Sequence, residues 1–188
     1  MPFSRSSIRR LAFIVVVALA SGALWLAFWV ASQSALAFTQ LSNGITLVYV
    51  PAGVRLVILL ISGFWGAFGI ALAFPLALFE VYPDASWRET LTYAAIAGLV
   101  PYATVIAACR AAGITRDLRS LRSIHLPLLA AAVSLTGALA YAGALTAFGR
   151  LDSDLLLQNV TAMSAGDFLG CFAVVLLVRL VIAGGKQR

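Results

Sequence analysis

The chain has 188 residues, of which 62% are hydrophobic and 11% are charged, and its formal net charge is +6. An ordinary globular domain is about 45 to 50% apolar and about 25% charged. This number of charged side chains is too small to cover a water-facing surface. The composition therefore excludes a soluble fold and predicts an all-α protein embedded in the lipid bilayer. The basic residues lie between apolar runs, which is typical of cytoplasmic loops and argues against nucleic acid as a partner.

Apolar runs of about 20 residues, the length that crosses a bilayer, recur along the chain. The first run follows Arg5, Arg9 and Arg10 and is too long for a signal-peptide core, so we expect an uncleaved anchor. We predict a single integral membrane domain, 1–188, with about six spans. These are residues 11–31, 45–62, 64–79, 91–112, 125–148 and 163–183.

Loop charges determine this number of spans. Four arginines lie in the loop between the spans 91–112 and 125–148: Arg110, Arg116, Arg119 and Arg122. Because Lys and Arg accumulate on the cytoplasmic side, this loop should be inside and the acidic linker before residue 91 outside. Both conditions hold only if the apolar stretch 45–79 crosses twice, so we divide it near Gly63 and predict cytoplasmic N and C termini. The two short halves form either two full spans or a re-entrant hairpin.

The arginines of this loop also have the spacing to bind anionic lipid head groups or a cytoplasmic partner.

Charged residues inside the apolar runs indicate a site. Arg55 lies in the second predicted span, where a charge costs at least about 2.5 to 3.5 kcal/mol. Pro51 removes a backbone donor nearby and Gly53 loosens the helix, while Asp167 opens the last span and is the obvious partner for Arg55. We therefore predict a ligand-binding or polar intramembrane site at these four residues. The alternative is that Arg55 reaches an interface and Asp167 faces the positive end of its helix.

Small and aromatic residues suggest how the helices pack. Four glycines are predicted to allow close helix contacts: Gly63, Gly66, Gly166 and Gly170. Trp25 and Trp29 lie towards the outer end of the first span, where indole rings commonly anchor a protein at the membrane interface.

Signatures of catalysis and of metal binding are absent from the sequence. It contains no phosphate-binding glycine loop, no Ser/His/Asp set and no H-E-x-x-H motif. His125 is the sole histidine, and Cys109 and Cys171 belong to no C-x-x-C pair. We therefore expect a protein that is not an enzyme and has free thiols, no metal and no cofactor.

Short motifs suggest a family. The segments 49–56 (YVPAGVRL), 63–66 (GFWG) and 166–170 (GDFLG) resemble the type-one membrane-associated sensor domain, the MASE group. The resemblance implies a sensory module of the bacterial inner membrane, which in many relatives precedes a cytoplasmic histidine kinase or cyclic-di-nucleotide enzyme. Nine residues follow Arg179, so we expect no output domain here and a signal that passes to a separate cytoplasmic protein.

Two other functions fit the same residues. The size and the number of spans are similar to those of the substrate-binding subunits of energy-coupling-factor vitamin transporters, and polar residues on broken helices near mid-bilayer suit a solute site. A structural or assembly protein would use its polar residues only for helix association. The sequence names neither the small-molecule ligand nor the protein partner.

Overall fold

The computed structural model describes residues 5–35, 48–115 and 120–185, and all regular elements within them are helical. The elements are α1 (Arg5–Ala35), α2 (Val50–Val81), α3 (Trp87–Ala111), α4 (His125–Ala147) and α5 (Leu156–Gly185), with a 3-10 turn at Ser153–Leu155 before α5. Five helices in this part of the chain are long and apolar enough to cross a membrane. The predicted all-α fold of membrane-compatible helices is therefore confirmed.

Gly63 breaks α2 into two halves, 50–62 and 64–81. Its backbone angles, φ 55° and ψ −133°, lie outside the helical region. A Cβ at Gly66 would lie 2.8 Å from Cγ2 of Ile58, although residues eight apart in a straight helix are about 12 Å apart along its axis. The chain therefore folds back at Gly63, where the sequence predicted a division. No atom of the described residues lies within 4 Å of a Cβ placed on Gly63, so this glycine serves the turn and not the close packing predicted for it.

Among the other helices, α1 and α5 extend furthest beyond their predicted spans, 11–31 and 163–183. The span predicted to begin at 163 belongs to a helix that begins at Leu156. Polar side chains within its first turns bond to the carbonyl oxygens of the preceding turn: the Asn159 amide donates to Leu155 and the Thr161 hydroxyl to Leu157. These bonds satisfy the polar groups locally, so a polar segment continues as helix. The segment 45–47 of the second predicted span lies outside the described residues.

α2 lies at the centre of the bundle and packs against α1, α3 and α5. Its contact with α1 is close because glycines face each other. A Cβ at Gly69 would collide with the backbone of Ala18, and one at Gly22 would collide with the carbonyl of Gly69. The absence of side chains lets the two backbones approach, as small residues do in other membrane bundles.

The same face of α1 buries its tryptophans. Trp25 is fully buried and stacks on Phe74 of α2 with a centroid distance of 5.6 Å, and Trp29 is 6% exposed. The prediction that these rings anchor the protein at the membrane interface is therefore wrong. Ala18, Gly22, Trp25 and Trp29 recur at helical spacing and form the stripe that faces α2. α1 is apolar on all sides, so the sequence does not reveal which side is buried.

Candidate functional site

The helices enclose a cavity of about 520 Å³. Small-molecule sites commonly have volumes of about 300 to 1,000 Å³. At mid-bundle the lining contains Arg55 and Asp167, and near the connection between α4 and α5 it contains Arg150 and Asp152. The cavity therefore extends from one end of the bundle to the two charged residues that the sequence identified inside apolar runs.

Arg55 and Asp167 form an ion pair. Nη2 of Arg55 lies 3.2 Å from Oδ2 of Asp167, and the two side chains are 9% and 16% exposed. This is the single hydrogen bond of Arg55 to the described residues, and its buried Nε has no partner among them. A Cβ on Gly137 of α4 would lie 3.8 Å from Nη2 and 4.0 Å from Oδ2, so Gly137 itself adds no side chain over the pair on that side.

Glycines bring the start of α2 against the middle of α5. The backbone N–H of Tyr49 donates to the carbonyl of Gly166 at 3.0 Å. A Cβ at Gly170 would collide with the carbonyl of Tyr49, and a Cβ at Gly53 would lie 2.6 Å from the carbonyl of Gly170. Gly53, Gly166 and Gly170 therefore hold the two helices together, and Asp167 lies within this contact.

Pro51 and Gly53 have a different place from Arg55 and Asp167. Both are buried, and neither lines the cavity. Pro51 lies in the first turn of α2, where its missing N–H interrupts no helical hydrogen bond. The side chains of Arg55 and Asp167 thus line the cavity. Gly53 lies in the backbone contact between α2 and α5, and Pro51 belongs to the buried first turn of α2.

The first half of α2 begins deep within the bundle. Gly166, which accepts the hydrogen bond from Tyr49, lies ten residues after Leu156, or about 15 Å along α5. The half-helix 50–62 is about 20 Å long. Its amino end therefore lies near mid-depth, beside the cavity residue Tyr49, and carries the partial positive charge of a helix start.

A second charged cluster lies at the other end of the cavity. Nε of Arg150 donates to Oε1 of Glu89 at 2.6 Å, and Nη1 donates to Oδ1 of Asp84 at 3.2 Å. The guanidinium also lies 4.9 Å from the centroid of the Tyr82 ring. Glu89 completes a capping box with Ser86 at the start of α3. Arg150 thus ties the connection between α4 and α5 to the one between α2 and α3.

Sequence reasoning missed this cluster although two signals pointed to it. Ser86 and Glu89 have the spacing of a capping box. Arg150 is a single basic residue in a loop predicted to be external, where the positive-inside bias makes an unpaired arginine unusual.

The charges in this cluster influence each other. Burial raises the pKa of the Tyr82 phenol, and the positive charge of Arg150 partly offsets this by lowering it. Hydrogen bonds to Glu89 and Asp84 raise the pKa of the Arg150 guanidinium. Near neutral pH, Tyr82 is therefore an uncharged hydroxyl and Arg150 a permanent cation.

Aromatic side chains form much of the remaining wall. They are Trp29, Tyr49, Phe74, Tyr82 and Tyr141. Phe74 and Tyr141 meet edge to face, with their centroids 6.3 Å apart. No group of three or more His, Cys, Asp or Glu side chains that could hold a metal ion occurs in the part of the chain that is described. The arrangement is suited to binding an organic molecule through rings and hydrogen bonds.

The arginine-rich loop is only partly described. Arg110, in the last turn of α3, and Arg122, before α4, are both exposed. The backbone N–H of Arg122 donates to Nδ1 of His125 at 3.1 Å, so the sole histidine shapes the start of α4. Arg116 and Arg119 lie outside the described residues. Cys109 and Cys171 are free thiols, as predicted.

Comparisons of the chain with protein-family models, with curated proteins and with solved structures found no match. The resemblance to the type-one membrane-associated sensor domain therefore stays a prediction.

Proposed function

We propose that this protein binds a small molecule in the cavity between its helices and reports its presence to a separate cytoplasmic protein, in the manner that the MASE resemblance implies. The observation that carries the proposal is the Arg55–Asp167 pair on the cavity wall. Buried charges are stable only when hydrogen bonds satisfy their remaining donors and acceptors. Among the described residues, the only hydrogen bond of this pair is the one that joins Arg55 to Asp167, and a bound molecule would supply others.

The proposal includes a topology in the bacterial inner membrane. The half 50–62 is about 20 Å long, shorter than the ~30 Å of hydrocarbon, so we infer a re-entrant hairpin in which 64–81 completes the return. With this hairpin, the loop that contains Arg110 and Arg122 is cytoplasmic together with both termini, and Arg150 is outside. This orientation satisfies the positive-inside bias at the arginine-rich loop.

Cysteine labelling tests the orientation. In a background with Cys109→Ala and Cys171→Ala, the exposed serines Ser123 and Ser153 are replaced singly by cysteine. A membrane-impermeant maleimide added to intact spheroplasts should label Ser153→Cys, and it should label Ser123→Cys only after the membrane is opened. Labelling of both, or the reverse pattern, would overturn the topology.

A transporter subunit is the second candidate. The observation that favours it is the start of α2 near mid-depth, beside Tyr49 of the cavity wall. Transporters build solute sites from discontinuous helices whose ends lie near the bilayer midplane. The protein would then pass its ligand to a transport partner and would not signal.

Native mass spectrometry of protein extracted gently from its own membrane tests binding. The wild-type protein should retain a small molecule that Arg55→Ala loses. Gly137→Leu, which keeps both charges but extends a side chain towards the pair, should lose it too. Gly143→Ala on the same helix should retain it, because no atom of the described part of the chain lies within 4 Å of a Cβ there. A co-extracted kinase or cyclase supports the sensor, and a transport ATPase or membrane coupling subunit supports the transporter. A wild-type protein without any small molecule overturns both and favours a structural or assembly role.

A further inference from the structure

The polar end of the cavity presents a donor and an acceptor side by side. The Arg55 guanidinium has five N–H donors and uses one of them on Asp167 among the described residues. The Asp167 carboxylate accepts that bond and can accept several more. Since no side chain at Gly137 covers the pair, a ligand edge in this space meets N–H groups next to a carboxylate oxygen.

The two charged side chains at the inner end of the cavity balance each other. Among the described residues that line the cavity, Arg55 pairs with Asp167, whereas Arg150 lies at the other end and pairs with Glu89 and Asp84. Asp152 also lines that other end and is exposed. A ligand with a net charge would enter this low-dielectric space without a compensating charge, which is unfavourable. The lining therefore favours a molecule whose net charge is zero.

Aromatic side chains line the cavity that contains the pair. Tyr49, Phe74 and Tyr141 line the cavity together with Arg55 and Asp167. Flat rings pack against such side chains in stacked or edge-to-face arrangements. A planar body thus fits the walls, while its polar edge meets the ion pair.

We propose that the cavity binds a planar, net-uncharged heterocycle with an adjacent hydrogen-bond acceptor and donor, as in a lactam edge, the acceptor facing Arg55 and the donor facing Asp167. This proposal rests on the proposed function, because it assigns a ligand class to the same cavity. The ligand is recognised by the order of its donor and acceptor and not by a net charge.

Three probes of similar size separate these properties. Quinolin-2(1H)-one carries the lactam N–H beside its carbonyl, 1-methylquinolin-2-one lacks the donor, and 2-naphthoate carries a net negative charge. Calorimetric titration into the full-length protein in nanodiscs should give the tightest binding for quinolin-2(1H)-one. Because the methylated probe leaves a buried carboxylate acceptor unpaired, its affinity should be lower by about tenfold or more.

Two glycine variants link this preference to the ion pair. In Gly137→Ala the new methyl group lies at ordinary contact distance from Nη2 of Arg55 and Oδ2 of Asp167, so the protein should fold while the pair is covered. The affinity for quinolin-2(1H)-one should fall about tenfold and approach that of the methylated probe. Gly143→Ala should bind like the wild type, and equal thermal unfolding midpoints of both variants verify folding.

Equal or tighter binding of 1-methylquinolin-2-one or 2-naphthoate by the wild type would overturn the ligand class, and so would an unchanged preference in Gly137→Ala. If mass spectrometry then still finds a small molecule that depends on Arg55, the proposed function stands and only the class is wrong. If no probe binds and no small molecule is retained, both proposals fail.

Discussion

Nη2 of Arg55 lies 3.2 Å from Oδ2 of Asp167, although 112 residues separate them in the chain. The contact exists because the start of α2 is held against α5 by the Tyr49–Gly166 hydrogen bond and by the glycines around it. The two charges therefore face each other at the cavity wall in the interior of the bundle, where both side chains are largely buried.

Removing one partner of this pair should destabilise the protein strongly. We expect Asp167→Ala to lower the free energy of unfolding by about 3 to 5 kcal/mol, because it leaves the Arg55 charge buried without its counter-ion. The double variant Arg55→Met with Asp167→Ala should cost much less than the sum of the two single changes, Arg55→Met and Asp167→Ala. Unfolding by sodium dodecyl sulfate in mixed micelles, followed by circular dichroism, provides the double-mutant cycle. Additive losses would show that the two side chains are energetically independent.

The close crossing of α1 and α2 should be sensitive to a single methyl group. A Cβ at Gly69 would collide with the backbone of Ala18, which cannot move as a side chain would. We expect Gly69→Ala to lower the free energy of unfolding by about 1 to 3 kcal/mol. Gly143→Ala is the matched control, because its new methyl group meets no atom within 4 Å among the residues that the structure describes. Equal stability of the two variants in the same unfolding assay would contradict the close crossing.

Replacing Gly63 by any other residue should introduce backbone strain at the turn. Its φ of 55° and ψ of −133° are strained for any residue with a Cβ, but no atom in the described ranges of the chain would block a Cβ there. We expect Gly63→Ala to lower the free energy of unfolding by about 1 to 3 kcal/mol through backbone strain alone. Unfolding of Gly63→Ala beside Gly143→Ala measures this. A Gly63→Ala protein as stable as the wild type would show that the chain does not turn in this conformation.

Arg150 should influence the ionisation of Tyr82. The guanidinium favours the phenolate and lowers the pKa of Tyr82 against the effect of burial. Arg150→Gln should therefore raise that pKa further, so that Tyr82 ionises at a higher pH. Absorbance near 295 nm during a pH titration, with Tyr82→Phe subtracted, reports the phenolate. Arg88→Gln is the control, because Arg88 lies over Trp87 instead. Ionisation of Tyr82 at a lower pH in Arg150→Gln would contradict the contact.

The sequence by itself was enough to predict the membrane-compatible helices and the place where the chain turns back. Long apolar runs separated by charged loops leave few alternatives to membrane-compatible helices. The loop charges called for a division of the stretch 45–79 near Gly63, and the backbone folds back at that residue. Arg55 and Asp167 stood out because charges inside apolar runs are costly.

Only the tertiary structure decided which sides of these helices meet. An almost uniformly apolar helix such as α1 shows no polar side that marks its buried face, which is why the burial of Trp25 and Trp29 was predicted wrongly. Close contacts such as that of Gly69 with Ala18 depend on the rotation of each helix about its axis. This rotation is set by packing between helices and not by the local sequence. The cavity and the Arg150 cluster arise from residues distant in the chain, so their existence depends on the assembled bundle.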